Sequence, residues 1–490
     1  MQLKLIRNIV ILLFIPLSTY AGTYTVCSSG CDETTIQAVF TNNDLAPGDI
    51  VEVRADTPGG SKSYNETVTP GSDDIGDSGS QLVLQARSGD TITIDGQDTR
   101  NYCIDLSNRS YITVDGIDVT GATNDCIHGS NADNNTIQNL TATGCFQDGI
   151  GLDTGSANNT VHNVVSHTNG DVSNEGNGII FDGADSDNNT ITNCTTYSNQ
   201  GDGIVLHGPD TGTNLIDGGV IRNCLAYDNG EQGFELYATS NATIEKSESY
   251  SNAQVQSVVQ GITNHGNGSS GYNINNTIRW NYVYGTPGNG TEAAIQHYYI
   301  QGGTFYGNVV YDGSNGGDCV RVSENNTTQF NVYANTFYDC DSNCVEVYLG
   351  AVSGDVYIKN NIFYTTGTYY MRVYGTNGTA NTVSDYNRGY DASSGWVNWG
   401  GSGWTLTQYR DNTTNGDSSS EGDPLLTNPG TDFTLQSGSP CINAAESISG
   451  YNNRLNPNAS WPDNLSTCES LDIGAFADTC GTNQGVSINQ

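Results

Sequence analysis

Positive charge is what this chain lacks most: its 490 residues carry 16 Lys and Arg against 53 Asp and Glu, a formal net charge of −37. Such a surface repels phosphate backbones, so nucleic acid is not an expected partner. Charge of either sign is sparse, at 14% of residues, which argues against an acidic disordered tail. Long apolar runs are also missing. The longest, Ile9 to Leu17, is too short to span a bilayer, and no integral membrane segment is expected. It follows Lys4 and Arg7 and precedes Thr19-Tyr20-Ala21, the pattern of a cleaved secretory signal over residues 1–21. Cys27 lies too far from that cut to be a lipid-attachment cysteine. No Cys-x-x-Cys pair recurs at zinc-finger spacing, so the 13 cysteines of an exported chain point to disulfides, with one left over. The expected location is secreted, periplasmic or extracellular.

What is abundant is Gly (60), Tyr (28), Asn, Thr and Ser, a turn-rich composition that disfavours a helical bundle. Runs of the form Gly-apolar-x-apolar-x align Ile104, Ile127, Ile150, Ile179, Ile204, Phe234, Ile262, Ile295, Val320, Val345 and Met371 in one column, at spacings of 23 to 33 residues. Strand alternation sends the residues two further on, Leu106 to Val373, to the same side. A second column runs through Asn-Thr-Ile-Gln-Asn (135–139), Asn-Thr-Val-His-Asn (159–163), Asn-Thr-Ile-Thr-Asn (189–193) and Val-Ile-Arg-Asn (220–223). Short strands in repeats of this length predict an all-β fold, a single-stranded parallel β-helix whose turns stack. Residues 22–380 form the coil, with a cap helix near 34–40. Residues 381–490, where the register fades and Trp396, Trp399 and Trp404 appear, form a loop-rich C-terminal cap.

Asn139, Asn163, Asn193 and Asn223 are read as turn residues able to ladder between turns, rather than as glycosylation sites. Cys103 with Cys126, Cys319 with Cys344, and Cys194 with Cys224 stack on neighbouring turns, either as disulfides or as small buried side chains.

Asn-Thr-Ile-x-Asn-Cys followed by Asp-Gly-Ile-x-Leu (189–194, 202–206) resembles the PbH1 repeats of the right-handed parallel β-helix superfamily, which includes pectate lyases and other polysaccharide-active enzymes. Residues 45–54 and Ile-Asp-Gly at 94–96 are similar to that superfamily's opening segment. Asp385-Tyr386-Asn387, Asp423-Pro424-Leu425, Phe433-Thr434-Leu435, Ser439-Pro440-Cys441-Ile442-Asn443 and Leu471 to Phe476 resemble the tail of bacterial choice-of-anchor Q β-helix proteins. The resemblance implies a right-handed coil and a polysaccharide ligand. It leaves lyase, hydrolase, epimerase and adhesin open. The Asp-Pro-His motif of alginate epimerases is absent, and the paired-aspartate motifs of polygalacturonases find no match. The lysine base of several calcium-dependent lyases has no counterpart on the outward strand positions, Lys246 sitting at a ladder position instead.

Two outward columns descend the first strand of each repeat: Asp105, His128, Gly151, Ile180, Val205, Glu235, Thr263, Gln296, Arg321, Glu346 and Arg372, beside Ser107, Ser130, Asp153, Asp182, His207, Tyr237, His265, Tyr298, Ser323, Tyr348 and Tyr374. Tyr298, Arg321, Tyr348, Arg372 and Tyr374 are the expected substrate-binding residues, since aromatic faces stack on pyranoses and arginines bind carboxylates or sulfates. The titratable middle offers two chemistries. In β-elimination at a uronate, His207 or His265 serves as base, Tyr237 as acid and Arg321 as neutraliser. In hydrolysis, carboxylates flank the bond: Asp153 with Asp182 on adjacent turns, about 5 Å apart, or Asp182 with Glu235 at roughly 9 to 10 Å. His297 points inward and reads as structural. No cofactor is certain. Calcium is a candidate ligand of Asp148, Asp153, Asp182 and Asp202, with isolated surface acids as the alternative.

A monomeric polysaccharide lyase is expected ahead of a glycoside hydrolase, and the coincidence of His, Tyr and Arg decides that order. The net charge favours a neutral glycan and so the hydrolase. The rival from another class is a non-catalytic glycan-binding surface or matrix protein.

Overall fold

A computed structural model describes residues 21–479 except 172, 210–213, 255–260, 267, 269–272, 286–292, 314–316, 324–327, 351–353 and 458–466. The secretory signal read in residues 1–21 therefore falls, but for Ala21, outside the described residues. The chain winds through three long sheets in turn, parallel throughout except for the last strand of the third, Ser402–Trp404. The first has 14 strands, from Thr23–Val26 to Thr382–Asp385; the second has 14, from Ser61–Tyr64 to Ser420–Glu421; the third has 13, starting at Ile104–Asp105. A four-stranded ladder, Ile216–Asp217, Thr239–Ser240, Asn273–Ile274 and Ile300–Gln301, lines one corner. This is the expected parallel β-helix. Among the described residues no helix is long and apolar enough to cross a membrane.

Every member of the inward column pairs in register with the next. Ile104 pairs with Ile127, and the stack continues through Phe234, Ile262 and Ile295 to Met371. All are fully buried in one continuous core. Alternation with period two turns the intervening residues outward, and the third sheet becomes the floor of a groove.

The corner asparagines take the left-handed conformation, with φ of 57° at Asn139, 52° at Asn163, 56° at Asn193 and 53° at Asn223. Of their side chains, Asn163 Nδ2 donates to Asn139 Oδ1 at 2.8 Å on the surface. The buried ladders lie one residue further on. Asn281, Asn308, Asn335, Asn361 and Asn387 form one such run, each Oδ1 accepting the backbone N–H and the amide of the asparagine before it, as at Asn308 to Asn335, 2.9 and 3.1 Å. Asn169, Asn199, Asn229 and Asn252 form another. A left-handed residue turns its own side chain out of the corner, so it is the next residue that points into the coil.

The stacked cysteine pairs do not bridge. Disulfides join Cys27 to Cys31, Cys126 to Cys145 and Cys319 to Cys340, and Cys103, Cys194, Cys224 and Cys344 are buried free thiols. Residues stacked in parallel strands project side by side with β-carbons about 4.8 Å apart, beyond the roughly 3.5–4.5 Å a disulfide needs. Cysteines on two sides of a corner face one another and close to Cα separations of 5.6 Å and 5.4 Å.

The helix Ile36–Asn42, capped by the Thr35 hydroxyl, buries Ile36, Val39 and Phe40 over the first turn. At the other end the parallel register runs on through Thr382–Asp385, Arg388–Ala392 and Gly395–Trp399, beyond the point where the repeat fades in sequence. The helix Leu406–Asn412 then closes the coil with Tyr409 and Trp399. The chain then adds a last strand, Ser420–Glu421, to the second sheet beside Arg388–Ala392. It returns along the side as a strap whose Leu426, Phe433, Leu455, Ile473 and Phe476 cover Trp280, Tyr306, Tyr333 and Ile362.

His297 lies in the core against Phe305 and Phe330, with Nδ1 3.0 Å from the Asn264 amide nitrogen. Burial pulls its pKa down to about 3. The unfolded chain takes up this proton below pH 6.5 while the native state refuses it, so stability falls with pH through that window. The loss is about 3 kcal/mol by pH 4. A His297→Gln variant is expected to lose that much less stability between pH 7 and 4 in urea titrations; parallel pH profiles of the two proteins would refute the assignment.

Candidate functional site

The groove over the third sheet holds both outward columns in register. His207 pairs with Asp182 and Tyr237, Tyr237 with His265, and His265 with Tyr298. Nδ1 of His207 lies 2.8 Å from Oδ1 of Asp182. The His207 ring stacks on Tyr237 with centroids 4.4 Å apart and planes 8° from parallel, and Tyr237 meets His265 edge-on at 4.7 Å. Nε2 of His265 lies 2.9 Å from Oε1 of the buried Glu235. The result is a row on four adjacent turns, Asp182, His207, Tyr237 and His265, with Glu235 beside Tyr237 on the same strand and reaching His265 from the neighbouring column. Each carboxylate fixes the orientation of its imidazole.

One turn above the row, Asp153 lies 3.9 Å from His128, which stacks on Tyr102 and has Asp125 at 2.9 Å. Burial, then repulsion from Asp125 and Asp182, raises the Asp153 pKa against the pull of His128. Burial opposes charge on His128, yet the hydrogen bond and charge of Asp125 outweigh it and raise its pKa.

Below the row the groove opens into a cleft of about 350 Å³ lined by Tyr298, Arg321, Ser323, Tyr348, Arg372 and Tyr374, with Gln296 and Glu346. All five expected substrate-binding residues meet here. Glu346, only 2% exposed, holds three of them. Its carboxylate takes Arg321 at 2.8 Å, Arg372 at 3.0 Å and the Tyr374 hydroxyl at 3.0 Å. Burial and Asp318 raise the Glu346 pKa, opposed by the two arginines. Arg321 therefore cannot serve as neutraliser for the central row. It sits two turns, about 10 Å, from His265 and is held by Asp318 and Glu346.

The four acids considered for calcium divide in two. Asp153 and Asp182 face the groove, whereas Asp148 and Asp202 are rungs of a corner ladder. They accept the backbone N–H of Asn177 and of Gln232, each at 2.6 Å. Burial and Asp125 push Asp148 up to about 8, and burial with Glu235 raises Asp202 well above the carboxylate range. Among the described residues no three His, Cys, Asp or Glu converge to hold a metal ion.

The second sheet carries a feature absent from the sequence reading. His167, Tyr197, Tyr227, Tyr250, Tyr284 and Tyr311 stack on successive turns with centroids 4.6 to 5.2 Å apart and planes within 13°. The recurring Tyr at the third position of each short strand was the available signal. The ring faces cover one another and only edges meet solvent, so this stack stabilises the coil and offers no face to a sugar.

A parallel β-helix with an acid-base row and a polar cleft along one sheet defines the class of this protein: a right-handed β-helix protein. More particularly, the chain belongs to the family described as "Pel9A-like, right handed beta helix region", whose model matches residues 21–277. Among solved structures it is similar to pectate lyase Pel9A, with 18% identity over 94% of this chain and 97% of that one and a TM-score of 0.42. The A-module of Azotobacter vinelandii mannuronan C-5 epimerase AlgE6 shares 17% identity over 79% and 94% of the two chains, TM-score 0.49. PfbA, a surface adhesin of Streptococcus pneumoniae, shares 14% over 74% and 87%, TM-score 0.42. These likenesses concern the fold. No curated protein sequence matches the chain.

Proposed function

We propose that this is an exported polysaccharide lyase that cleaves a uronic-acid-containing glycan by β-elimination, and that the row Asp182, His207, Tyr237, His265, Glu235 is its centre. The observation that carries the reading is one phenol held between two imidazoles, each backed by a carboxylate. With Nδ1 engaged by Asp182, His207 removes the C5 proton through Nε2. The electron pair forms the C4=C5 bond, the C4–O bond breaks, and Tyr237 delivers its proton to the leaving oxygen. His265, oriented by Glu235, meets the substrate carboxylate in place of Arg321. The cleft of Tyr298, Arg321, Tyr348, Arg372 and Tyr374 binds the neighbouring sugars.

The neighbouring pair favours a second reading. Asp153 and Asp182 stand on adjacent turns, near the spacing of about 5 Å used by retaining glycosidases, and Asp153 has the raised pKa of a general acid. Incubating the protein with acidic and neutral polysaccharides, with and without Ca²⁺, separates the two. Elimination raises absorbance at about 235 nm together with reducing ends, and hydrolysis raises reducing ends alone. Binding without either signal would replace both readings with a glycan-binding surface protein.

A further inference from the structure

A second charged cluster lies on the first sheet, outside the groove. Arg222, Glu245, Arg279 and Tyr306 stack in register on consecutive turns. Glu245, 2% exposed, is clasped from both sides by Arg222 Nε and by Arg279 Nη2 at 2.6 Å. Lys246 follows at the corner, left-handed at φ 51°. Its Nζ lies 5.8 Å from the Trp280 ring, on which the Arg279 guanidinium also rests at 4.3 Å.

Three of the chain's 16 cations thus crowd round a single carboxylate, which two of them clasp. One arginine would suffice to pair Glu245, so the surplus needs another explanation. Nor do the flanking positions supply acids. Thr192 precedes Arg222 in the same column and Tyr306 and Tyr333 follow Arg279, while Asn193, Asn223 and Trp280 share the corner with Lys246. In a chain with 53 acids, Glu245 is the one acid of its column from Thr192 to Tyr333. Like charges stacked on adjacent turns repel, and here burial and the two arginines depress the Lys246 pKa against the pull of Glu245. The side chains remain reachable, at 42% exposure for Arg222 and 26% for Arg279. Among the described residues only Glu245 pairs with Arg222, and no carboxylate pairs with Lys246.

We infer that Arg222, Lys246 and Arg279 form an oxyanion-binding site for a sulfate or carboxylate group of an acidic glycan, separate from the groove. Glu245 acts as a buried strut that holds both guanidinium groups in the plane of the sheet, leaving Arg222 Nη atoms and Lys246 Nζ to grip the ligand. Such a site would hold a polymer to a strongly acidic protein while another stretch lies in the groove.

Calorimetric titration of the whole protein at low salt tests this with three probes: inorganic sulfate, a sulfated tetrasaccharide and an unsulfated oligogalacturonate. Saturable binding of at least one is expected. It should weaken at least about tenfold in Lys246→Gln and in Arg222→Gln, be largely kept in Lys246→Arg, and be unchanged in His207→Ala. Response to sulfate alone identifies a free anion; response to one oligosaccharide identifies the ester or the carboxylate. Lys246 takes no part in clasping Glu245, so its glutamine variant should melt within a few degrees of the parent. Failure of all three probes to saturate below about 10 mM, or equal affinity in parent and Lys246→Gln, overturns the site. Because the His207→Ala arm reads binding alone, an inactive groove leaves this outcome intact.

Discussion

His207→Ala is expected to lower turnover by about 10²- to 10⁴-fold on the glycan that the groove cleaves, the range for removing a positioned acid or base. Binding of an uncleaved oligosaccharide should change by less than about threefold, since the aromatic and arginine residues of the lower cleft are untouched. Asp182 reaches the chemistry only through the 2.8 Å contact with Nδ1 of His207. Asp182→Asn should therefore cost less than His207→Ala, and the double variant should be no worse than His207→Ala alone. Steady-state kinetics on the four proteins decides the matter. Multiplicative losses would place Asp182 in a separate role, as the hydrolase reading requires, and an active His207→Ala would remove the imidazole from the mechanism.

Asn308→Ala should be the most damaging single change away from the groove. Its amide donates to Asn335 Oδ1 and to the carbonyls of Ile278 and Tyr306, and its Oδ1 takes both N–H donors of Asn281. Removing it strands buried donors and acceptors on both neighbouring turns, a loss of about 3 to 5 kcal/mol. Asn163→Ala, on the exposed side of an equivalent corner, forfeits one surface hydrogen bond and should cost under about 1.5 kcal/mol. Urea unfolding of both variants tests the contrast, and equal losses would mean that the buried ladder contributes nothing special.

The inward column was readable from the bare sequence because burial and period-two alternation leave few ways to align Gly-apolar-x-apolar repeats. That register survives the longest spacing, where Ile262 pairs with Ile295 and His265 with Tyr298. The outward columns came with it, and with them the central row and the five residues of the cleft. Pairing across a corner was not readable. Cys126 meets Cys145 and not its neighbour in the stack, because repeat alignment shows which residues lie one above another and says nothing of which face each other inside a turn. The role of Arg321 was missed for the same reason, since Asp318 approaches it from the preceding corner. The buried asparagine ladders were misplaced by one residue, the consequence of a left-handed φ that no periodicity reports. The strap's motifs were recognisable but its path was not, because its partners lie on several turns far away in sequence.

That strap alters how the coil should come apart. In a solenoid each turn touches only its neighbours, so unfolding can begin anywhere and travel like an opening zip. Here Phe476 rests on Tyr282, Tyr451 on Tyr306 and Tyr333, and Gly474 donates to the Asn360 carbonyl, which clamps four consecutive turns from outside. Those turns can no longer melt one by one. The C-terminal part of the coil becomes a single cooperative block, and fraying is left to the earlier turns, where the central row begins.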